Sequence, residues 1–431
     1  GSANLPYGNG GPGAPFNSIG GAIESATDGD TILVRNGIYE EDVRFYSKAV
    51  ALIGEDRDST IISAGENGYA FYLDQAGKPN TLIRNFTITN GAVENSNAGL
   101  YITDNSPDCK LENLNIVGNN GDGVYIAGFS SAKFTNCNIS DNGLNGIVVW
   151  SESSVELVNT TLAKNGHHGI RMEGDGLPKT ISVSNSILYN NTNGSMISFG
   201  DINDVVNVSY TYSDDAFEQI SGVVTFNSEN LYDSSVNVKF VDEEVGNYHL
   251  VASSFLVNGG HPDSTDANGT RADLGAFPYE SPNLNIWNVS TTGNDTTGSG
   301  SLTSPLSSIQ GAINLGDHGD SIIVGPGTYY ENIVVRGQNI TVTGSGLAHT
   351  ILDAGGNGSG ILATDLVNFN FNHGEIDTFR LQDMTIINGT GTQDYTNPQG
   401  NNDPFGGAMY VFQSVVELKS VVLSGNSAGV G

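Results

Sequence analysis

One short segment concentrates the side chains that can do acid–base or ion-pair chemistry. His168, Arg171 and Glu173 lie close together in the sequence, with His167 and Lys164 nearby. Proton abstraction beside a uronate carboxylate, the step of a polysaccharide lyase, needs a cation and a base, whereas glycoside hydrolysis needs paired carboxylates. Arg171 as base or oxyanion stabiliser, with Glu173 and His168, forms the candidate catalytic set. The alternative is that the two histidines are solvated turn residues.

Three aromatic residues, Tyr101, Tyr125 and Trp150, recur at nearly equal intervals. Aromatic rings with polar tips can stack on sugar faces. If their strands are neighbours in one sheet, roughly 4.8 Å apart, a chain-like ligand can lie across the row. These are the candidate carbohydrate-binding residues. The alternative is that neighbouring loops cover them.

A third group of polar residues forms a candidate metal site in one loop. Its oxygen-bearing side chains are Asp263, Asp266, Asn268 and Asp273. Such oxygens suit calcium, and Asp266 to Gly269 has the core pattern of an EF-hand loop, although the closing glutamate is missing. We expect no required cofactor, with calcium as the candidate ion. The alternative is an Asx-rich turn in which Arg271 pairs with Asp273.

The elements that position these side chains follow from a repeat between Gly99 and Gly194. The period is 23, 23, then 25 or 26 residues, which is too short for a βαβ unit and carries no helical pattern. Each repeat is therefore predicted to be a coil of short strands that stacks on the next coil, forming parallel sheets. The four matching segments are Leu111–Ile116, Phe134–Ile139, Leu157–Leu162 and Val183–Leu188.

The apolar pattern slips by one residue within each segment. Leu111 has one parity, while Leu114 and Ile116 have the other. A left-handed bend at Asn113 lets both halves point inward, because asparagine readily adopts that conformation. Stacked coils would then align identical amides in a structural ladder. The predicted ladder consists of Asn113, Asn136, Asn159 and Asn185.

The strand after each repeat's glycine sets the predicted outer face. By period two, Leu100, Val124, Ile147 and Ile170 point inward. The alternate positions point outward in two columns. The first column holds Tyr101, Tyr125, Val148 and Arg171, and the second holds Thr103, Ala127, Trp150 and Glu173.

Coils of this length with asparagine at the bend resemble the right-handed parallel β-helix of the pectate lyase-like superfamily. The terminal loop Gly259–Phe277 is similar to the closing segment of tandem-repeat β-helix proteins on bacterial and archaeal surfaces. The resemblance implies an all-β solenoid with an N-terminal capping helix. It leaves activity open, because the superfamily includes lyases, hydrolases, esterases and adhesins. The calcium-binding aspartates of pectate lyases, the paired aspartates of polygalacturonases and the Lys and Arg pair of alginate lyases have no clear counterpart here.

The chain also contains a duplication. Ser308–Ile313 matches Ser18–Ile23 at an offset of 290 residues, and the match continues for some fifty positions. We predict a complete unit at residues 1–282, with a cap near 16–27, coils at 30–255 and a closing loop at 256–280. A second, incomplete β-helix unit would follow at residues 283–431.

The charge and composition of the chain restrict the classes of partner that it is expected to bind. The net charge of −31 and the pI near 4.2 argue against nucleic acid and anionic membranes. No apolar run is long enough to span a bilayer. The expected partners are therefore a polysaccharide or further copies of the chain arranged end to end, at an extracellular or cell-surface location.

Two functions fit the sequence. The first is a secreted or surface tandem β-helix protein with a structural, adhesive or assembly role and a glycan-binding face. The alternative is a polysaccharide-active enzyme, with a lyase favoured over a hydrolase. The duplication, the missing catalytic sets and the small supply of basic residues favour the first function over an enzyme; an enzyme with this sequence would be a polysaccharide lyase.

Overall fold

The computed structural model of the 431-residue chain describes most of its length. The described residues are 10–64, 68–74, 81–91, 98–174, 176–198, 203–215, 222–226, 231–232, 238–280, 282, 284–364, 378–392, 405–412 and 414–429. They divide into two compact units, one of residues 1–236 with 274–277 and one of residues 237–273 with 278–431. The predicted domain boundary at residue 282 stays a prediction.

The first unit begins with a short helix and continues in short strands. In chain order these are α1 Ile19–Ser25, β1 Thr31–Val34, β2 Gly37–Glu40, β3 Val43–Tyr46, β4 Ala51–Gly54, β5 Thr60–Ser63, β6 Phe71–Asp74, β7 Leu82–Thr89, β8 Ala98–Thr103, β9 Cys109–Val117, β10 Asp122–Ile126, β11 Ser131–Thr135, β12 Asn138–Ser140, β13 Ile147–Val149, β14 Ser154–Val158, β15 Thr161–Ala163, β16 Ile170–Met172, β17 Thr180–Ser184, β18 Ile187–Tyr189, β19 Met196–Ser198, β20 Val205–Ser209, β21 Tyr212–Ser213, β22 Val223–Phe226 and β23 Leu231–Tyr232.

The second unit also consists mainly of short strands, with one α-helix. It contains β24 Phe240–Asp242, a 3-10 helix Glu243–Val245, β25 Asn247–Leu250, β26 Ile286–Val289, α2 Ile309–Leu315, β27 Ser321–Val324, β28 Gly327–Tyr330, β29 Ile333–Arg336, β30 Thr341–Thr343, β31 Thr350–Asp353, β32 Ile361–Thr364, β33 Thr378–Ile387, β34 Met409–Phe412 and β35 Val415–Ser424.

The strands of the first unit stack as the wall of a parallel β-helix. One seven-stranded sheet has the order β19-β16-β13-β10-β8-β6-β3, and the remaining strands form a 16-stranded sheet. The larger sheet folds into two faces because β7 and β9 are long strands that pair with different partners in their two halves. The first half of β9 pairs with β11 and its second half with β12, all in parallel. The predicted all-β parallel β-helix fold with an N-terminal capping helix is confirmed.

In each of the four predicted repeat segments the bend falls on an asparagine. Asn113, Asn136, Asn159 and Asn185 all have left-handed backbone, with φ of 52°, 55°, 49° and 48°. The bend turns apolar side chains of both flanking segments inward, and Leu111, Leu114 and Ile116 are all buried in one continuous core. Asn113 Nδ2 donates to Asn85 Oδ1 at 2.8 Å. Amide stacking along the remaining members of the ladder stays a prediction.

A second asparagine column lies inside the turns and was not predicted. Asn119, Asn142, Asn165 and Asn191 are buried. Each of the first three donates from Nδ2 to the next Oδ1 at 2.9 Å. Each amide also bonds a backbone carbonyl of the preceding coil, as Asn142 Nδ2 does to Ile116 O at 3.1 Å. The column satisfies buried turn groups that have no strand partner.

The helix α1 is fixed at its start by two side chains. Ser18 Oγ accepts from Gly21 N at 3.1 Å as an N-cap. The carboxylate of Glu41 accepts from Ile19 N at 2.9 Å and Gly20 N at 3.1 Å. Ile19 and Ile23 pack on the end of the core, which closes the stacked sheets at this end.

The second unit repeats this start element by element. Helix α2 follows α1 by 290 residues, and strands β27, β28, β29, β31 and β32 begin 290 residues after β1, β2, β3, β5 and β6. The capping contacts are repeated as well, because Glu331 accepts from Ile309 N at 2.8 Å and Gln310 N at 2.9 Å. Within the range of the predicted coils at 30–255, β24 and β25 form an antiparallel pair.

Candidate functional site

The outward side of the sheet formed by β3, β6, β8, β10, β13, β16 and β19, here called the outer face, carries the candidate site. Alternation along its strands buries Leu100, Val124, Ile147 and Ile170 completely. The register aligns the residues between them on successive coils. The resulting column is Arg44, Tyr72, Tyr101, Tyr125, Val148, Arg171 and Ile197.

Three tyrosines in this column form a continuous stack. The ring centroids of Tyr72 and Tyr101 are 5.4 Å apart at an interplanar angle of 6°, and those of Tyr101 and Tyr125 are 5.0 Å apart at 3°. The Arg44 guanidinium lies 5.6 Å from the centroid of Tyr72. Burial raises the pKa of Tyr101 to about 12 and raises the pKa of Tyr125 as well. These hydroxyls therefore remain protonated at physiological pH.

The predicted carbohydrate-binding aromatic residues differ in solvent exposure. Trp150 is 39% exposed, whereas Tyr125 is only 4% exposed. The Trp150 ring meets Tyr125 edge-on, with centroids 6.4 Å apart. Phe129, which sequence reasoning missed, is 56% exposed in the neighbouring turn, where its N donates to Ser151 O at 3.0 Å. Its signal is a large apolar residue in a glycine-containing turn. Among the described residues of the outer face and its turns, the exposed rings are those of Trp150, Phe129 and Tyr46 on β3.

Arg171 and Glu173 lie beside this exposed tryptophan. Arg171 Nη2 and Glu173 Oε1 are 2.5 Å apart, and about one third of each side chain is exposed. Glu173 N donates to Val149 O at 3.0 Å, which places Glu173 next to Trp150 on the following coil. The pair offers a fixed cation and a carboxylate at the edge of an apolar ring.

A polar column runs behind the ion pair. Asn145 donates to Asp122 Oδ1 from N and from Nδ2, both at 2.8 Å, and His168 N donates to Asn145 Oδ1 at 3.2 Å. Sequence reasoning missed Asp122, although Asp122, Asn145 and His168 each precede a turn glycine in successive coils. Burial raises the pKa of Asp122, partly opposed by bonds to Asn145 and by the charge of Arg171.

His168 is the buried member of the predicted catalytic set. Burial lowers its pKa first, and the charges of Arg171 and His167 lower it further. The imidazole is therefore neutral at physiological pH. Its Nδ1 has no hydrogen-bond partner among the described residues. The structure thus brings His168, Arg171 and Glu173 into one region, with Asp122 added.

The loop predicted to hold calcium uses its oxygens to bind its own backbone. Asp273 is buried and accepts from Asn258 N at 2.6 Å and from Tyr279 N at 2.5 Å. Asp266 Oδ2 accepts from Asp273 N at 2.9 Å. Asn268 Oδ1 accepts from both N and Oγ1 of Thr270, and Asp263 N donates to His261 Nδ1 at 3.1 Å.

These contacts bear on metal binding. Across the described ranges, no group of three His, Cys, Asp or Glu side chains is placed to hold a metal ion. A cation at this loop would compete with the backbone N–H groups for the oxygens of Asp273. Calcium binding here stays a prediction. Arg271 Nε, for its part, donates to Gly260 O at 2.5 Å.

The fold and a family comparison agree on the class of protein. The family model described as "Right handed beta helix region" matches residues 55–210. The first unit thus has the fold of a right-handed parallel β-helix. Within the part of the chain that the structure describes, no helix has the length and apolar character to cross a bilayer.

Solved structures of carbohydrate-active proteins are similar to this chain at low identity. Pectate lyase Pel9A is 15% identical with a TM-score of 0.39, over 65% of this chain and 95% of that chain. Pectin methylesterase from Yersinia enterocolitica is 16% identical with a TM-score of 0.33, over 51% and 95%. The PL6 family alginate lyase AlyGC is 9% identical with a TM-score of 0.24, over 94% and 74%. No curated protein sequence matches the chain.

Proposed function

We propose that this chain is an extracellular or cell-surface β-helix protein that binds a polysaccharide of low charge on the outer face. The observation that carries this proposal is the exposed ring of Trp150 beside the Arg171–Glu173 ion pair. An exposed ring supplies a stacking surface for a sugar, and the guanidinium and carboxylate supply donors and acceptors for its hydroxyls.

The surrounding face supports binding over catalysis. Tyr125 is buried, stacks on the half-buried Tyr101 and meets the Trp150 ring edge-on, so the Trp150 ring is supported before a ligand arrives. A guanidinium remains protonated in proteins, which suits Arg171 to hydrogen bonding better than to accepting a proton. The strongly acidic chain disfavours acidic polymers as ligands. In this proposal the repeated units serve a structural or adhesive role, with copies able to assemble end to end.

Binding can be tested on purified protein with a panel of neutral polysaccharides by affinity electrophoresis and calorimetry. We expect Trp150→Ala to weaken binding by about tenfold or more, because stacking of one aromatic ring is lost. Tyr330→Ala is the matched control, since Tyr330 is 79% exposed on a strand outside the outer face. Equal binding by the wild type and Trp150→Ala would remove the outer face from the proposal.

A second candidate function is polysaccharide cleavage by a lyase. It is favoured by one observation, the neutral His168 next to the cation Arg171. A neutral imidazole can accept the proton that a lyase removes, while Arg171 neutralises the substrate carboxylate. The test is absorbance of the unsaturated product on uronic-acid polymers with and without calcium. Turnover that Arg171→Ala abolishes would favour this function over simple binding.

A further inference from the structure

Three neighbouring turns beside the outer face share one backbone shape. In each turn, two consecutive residues have left-handed backbone, with φ between 50° and 65°. Asn105 N donates to Gly128 O at 2.7 Å, and Phe129 N donates to Ser151 O at 3.0 Å, so the turns stack in register. The three stacked pairs, which follow strands β8, β10 and β13, are Asp104–Asn105, Gly128–Phe129 and Ser151–Glu152.

Phe129 occupies one of these left-handed positions against steric strain. Asparagine and glycine adopt this conformation readily, whereas a bulky residue does not. The equivalent residue on the preceding coil is Asn105. The Phe129 ring is 56% exposed, so burial within the fold offsets little of the strain. A strained residue whose ring is exposed points to a contact outside the fold.

A low strip of chain separates Phe129 from Trp150. The register of β10 with β13 places Trp150 beside Ala127 on the preceding coil. Gly128, which lies between Ala127 and Phe129, has a φ of 65°. A Cβ atom on this glycine would lie 2.9 Å from Asp104 N, so a side chain does not fit there. Ala127 and Gly128 therefore form a low floor between two exposed rings.

The separation of the two aromatic residues suits a single sugar ring. Phe129 and Trp150 lie one coil apart and are offset by two residues along the chain, which separates their backbone positions by roughly 7–8 Å. A flat ring in contact with an aromatic ring on each face needs two contact distances of about 3.5–4.0 Å. One pyranose ring, and no more, can therefore fit between the two side chains.

Carboxylates surround this floor. Asp104 and Glu152 belong to the turns on either side of Phe129, and both are exposed. Glu173 lies next to Trp150 on the following coil. Carboxylates accept hydrogen bonds from hydroxyls at the edge of a sugar ring. They also repel a carboxylate on the ligand, so these side chains favour a neutral sugar.

We propose that Phe129 and Trp150 hold one neutral pyranose ring between them over the Ala127–Gly128 floor, an inference that rests on the polysaccharide binding proposed above. The sugar selected is one whose hydroxyls are all equatorial, as in β-linked glucose. Both faces of such a ring carry only C–H groups, so each face can stack on an aromatic ring. An axial hydroxyl, as in mannose, would be pressed against one of the aromatic rings and lose its hydrogen bonds to water.

Calorimetry on the full chain tests this with two probes that differ only in that hydroxyl, short linear oligosaccharides of β-1,4-linked glucose and of β-1,4-linked mannose. We expect the mannose probe to bind about fivefold more weakly or worse, because it buries an unpaired hydroxyl. Phe129→Asn should weaken binding of the glucose probe about tenfold, whereas Phe129→Tyr, which keeps the ring, should bind as the wild type does.

Urea unfolding of the same variants separates a binding role of Phe129 from a structural one. Because asparagine suits the left-handed backbone, the unfolding midpoint of Phe129→Asn should be unchanged or higher. A lower midpoint together with weaker binding would make the ring a structural element and overturn the proposal.

The remaining outcomes distinguish this inference from the function on which it rests. Unchanged binding in Phe129→Asn, with a loss in Trp150→Ala, would overturn the two-ring site and leave polysaccharide binding intact. Unchanged binding in both variants would overturn both. Equal affinity for the glucose and mannose probes would overturn the stacking of both sugar faces. A concentration-dependent dimer that Phe129→Asn abolishes would show that a second copy of the chain, and not a sugar, covers the two rings.

Discussion

Buried asparagine side chains stabilise the turns of this molecule through their hydrogen bonds. Asn142 donates to Asn165 Oδ1 and to Ile116 O, while its own Oδ1 accepts from Asn119. Buried polar groups that lose their partners cost about 1–3 kcal/mol each. We therefore expect Asn142→Ala to lower the free energy of unfolding by about 2–4 kcal/mol in denaturant titration. Asn120→Ala, at an exposed neighbouring position, is the control and should cost under about 0.5 kcal/mol.

Asp273 makes stability depend on pH in a defined direction. Burial, and then the charge of Asp266, raises its pKa to about 7. A carboxyl whose pKa is raised in the folded state contributes stability that is complete below its unfolded pKa, about 3.9, and is lost as pH rises toward 7.

Asp266→Asn removes the neighbouring charge and keeps an oxygen that can accept from Asp273 N. We expect the decline in stability with rising pH to end at a lower pH in this variant, measured by urea unfolding between about pH 4 and pH 8. Asp263→Asn changes an exposed carboxylate in the same loop and should leave the pH profile unchanged. An unaltered profile in Asp266→Asn would contradict the assigned coupling.

At the scale of the strand, the contribution of the left-handed backbone to stability can be tested separately from that of the asparagine side chain. Asn159 has a φ of 49°, and its Oδ1 has no hydrogen-bond partner among the described residues. Asn159→Gly preserves the bend and should change stability by less than about 1 kcal/mol. Asn159→Val introduces a β-branched residue into that conformation and should cost about 2 kcal/mol or more. Similar losses for both variants would mean that the amide, rather than the bend, matters most.

The sequence predicts the coils well because each repeat contacts its neighbours along the chain. The parity change around Asn113 is a local pattern, so the bend and the inward-facing strands follow from it directly. The column of Asn119 and Asn142 recurs at the coil spacing, but it was missed because it lies in irregular turns, where no period-two alternation shows which side chains point inward. The covering of Tyr125 and the placement of Asp122 were missed for a related reason, since both depend on packing between turns and strands of different coils.

At the scale of the whole molecule, the outer face carries arginine side chains within a chain of strongly negative net charge. Arg44 and Arg171 lie on this face, together with Asp74, Asp122 and Glu173. Burial and the charge of Asp104 raise the pKa of Asp74, and burial raises the pKa of Asp122. These cationic and acidic groups lie in a chain whose net charge is −31. An acidic polymer on the outer face would be attracted by the guanidinium groups of Arg44 and Arg171 and repelled by the net negative charge of the chain. The balance of these two interactions decides whether it binds.

Varying the ionic strength distinguishes attraction by the guanidinium groups from long-range repulsion by the acidic chain. The screening length falls from about 30 Å at 0.01 M salt to about 8 Å at 0.15 M, so added salt weakens the long-range repulsion more than contacts at the face. We expect a de-esterified uronic-acid polymer to bind several-fold more tightly at the higher salt concentration, while its methyl-esterified form changes little. Affinity electrophoresis of the two forms measures this with the polymer backbone held constant. Tighter binding of the de-esterified form at low salt would show that Arg44 and Arg171 outweigh the acidic background, and it would favour the lyase over the binding protein.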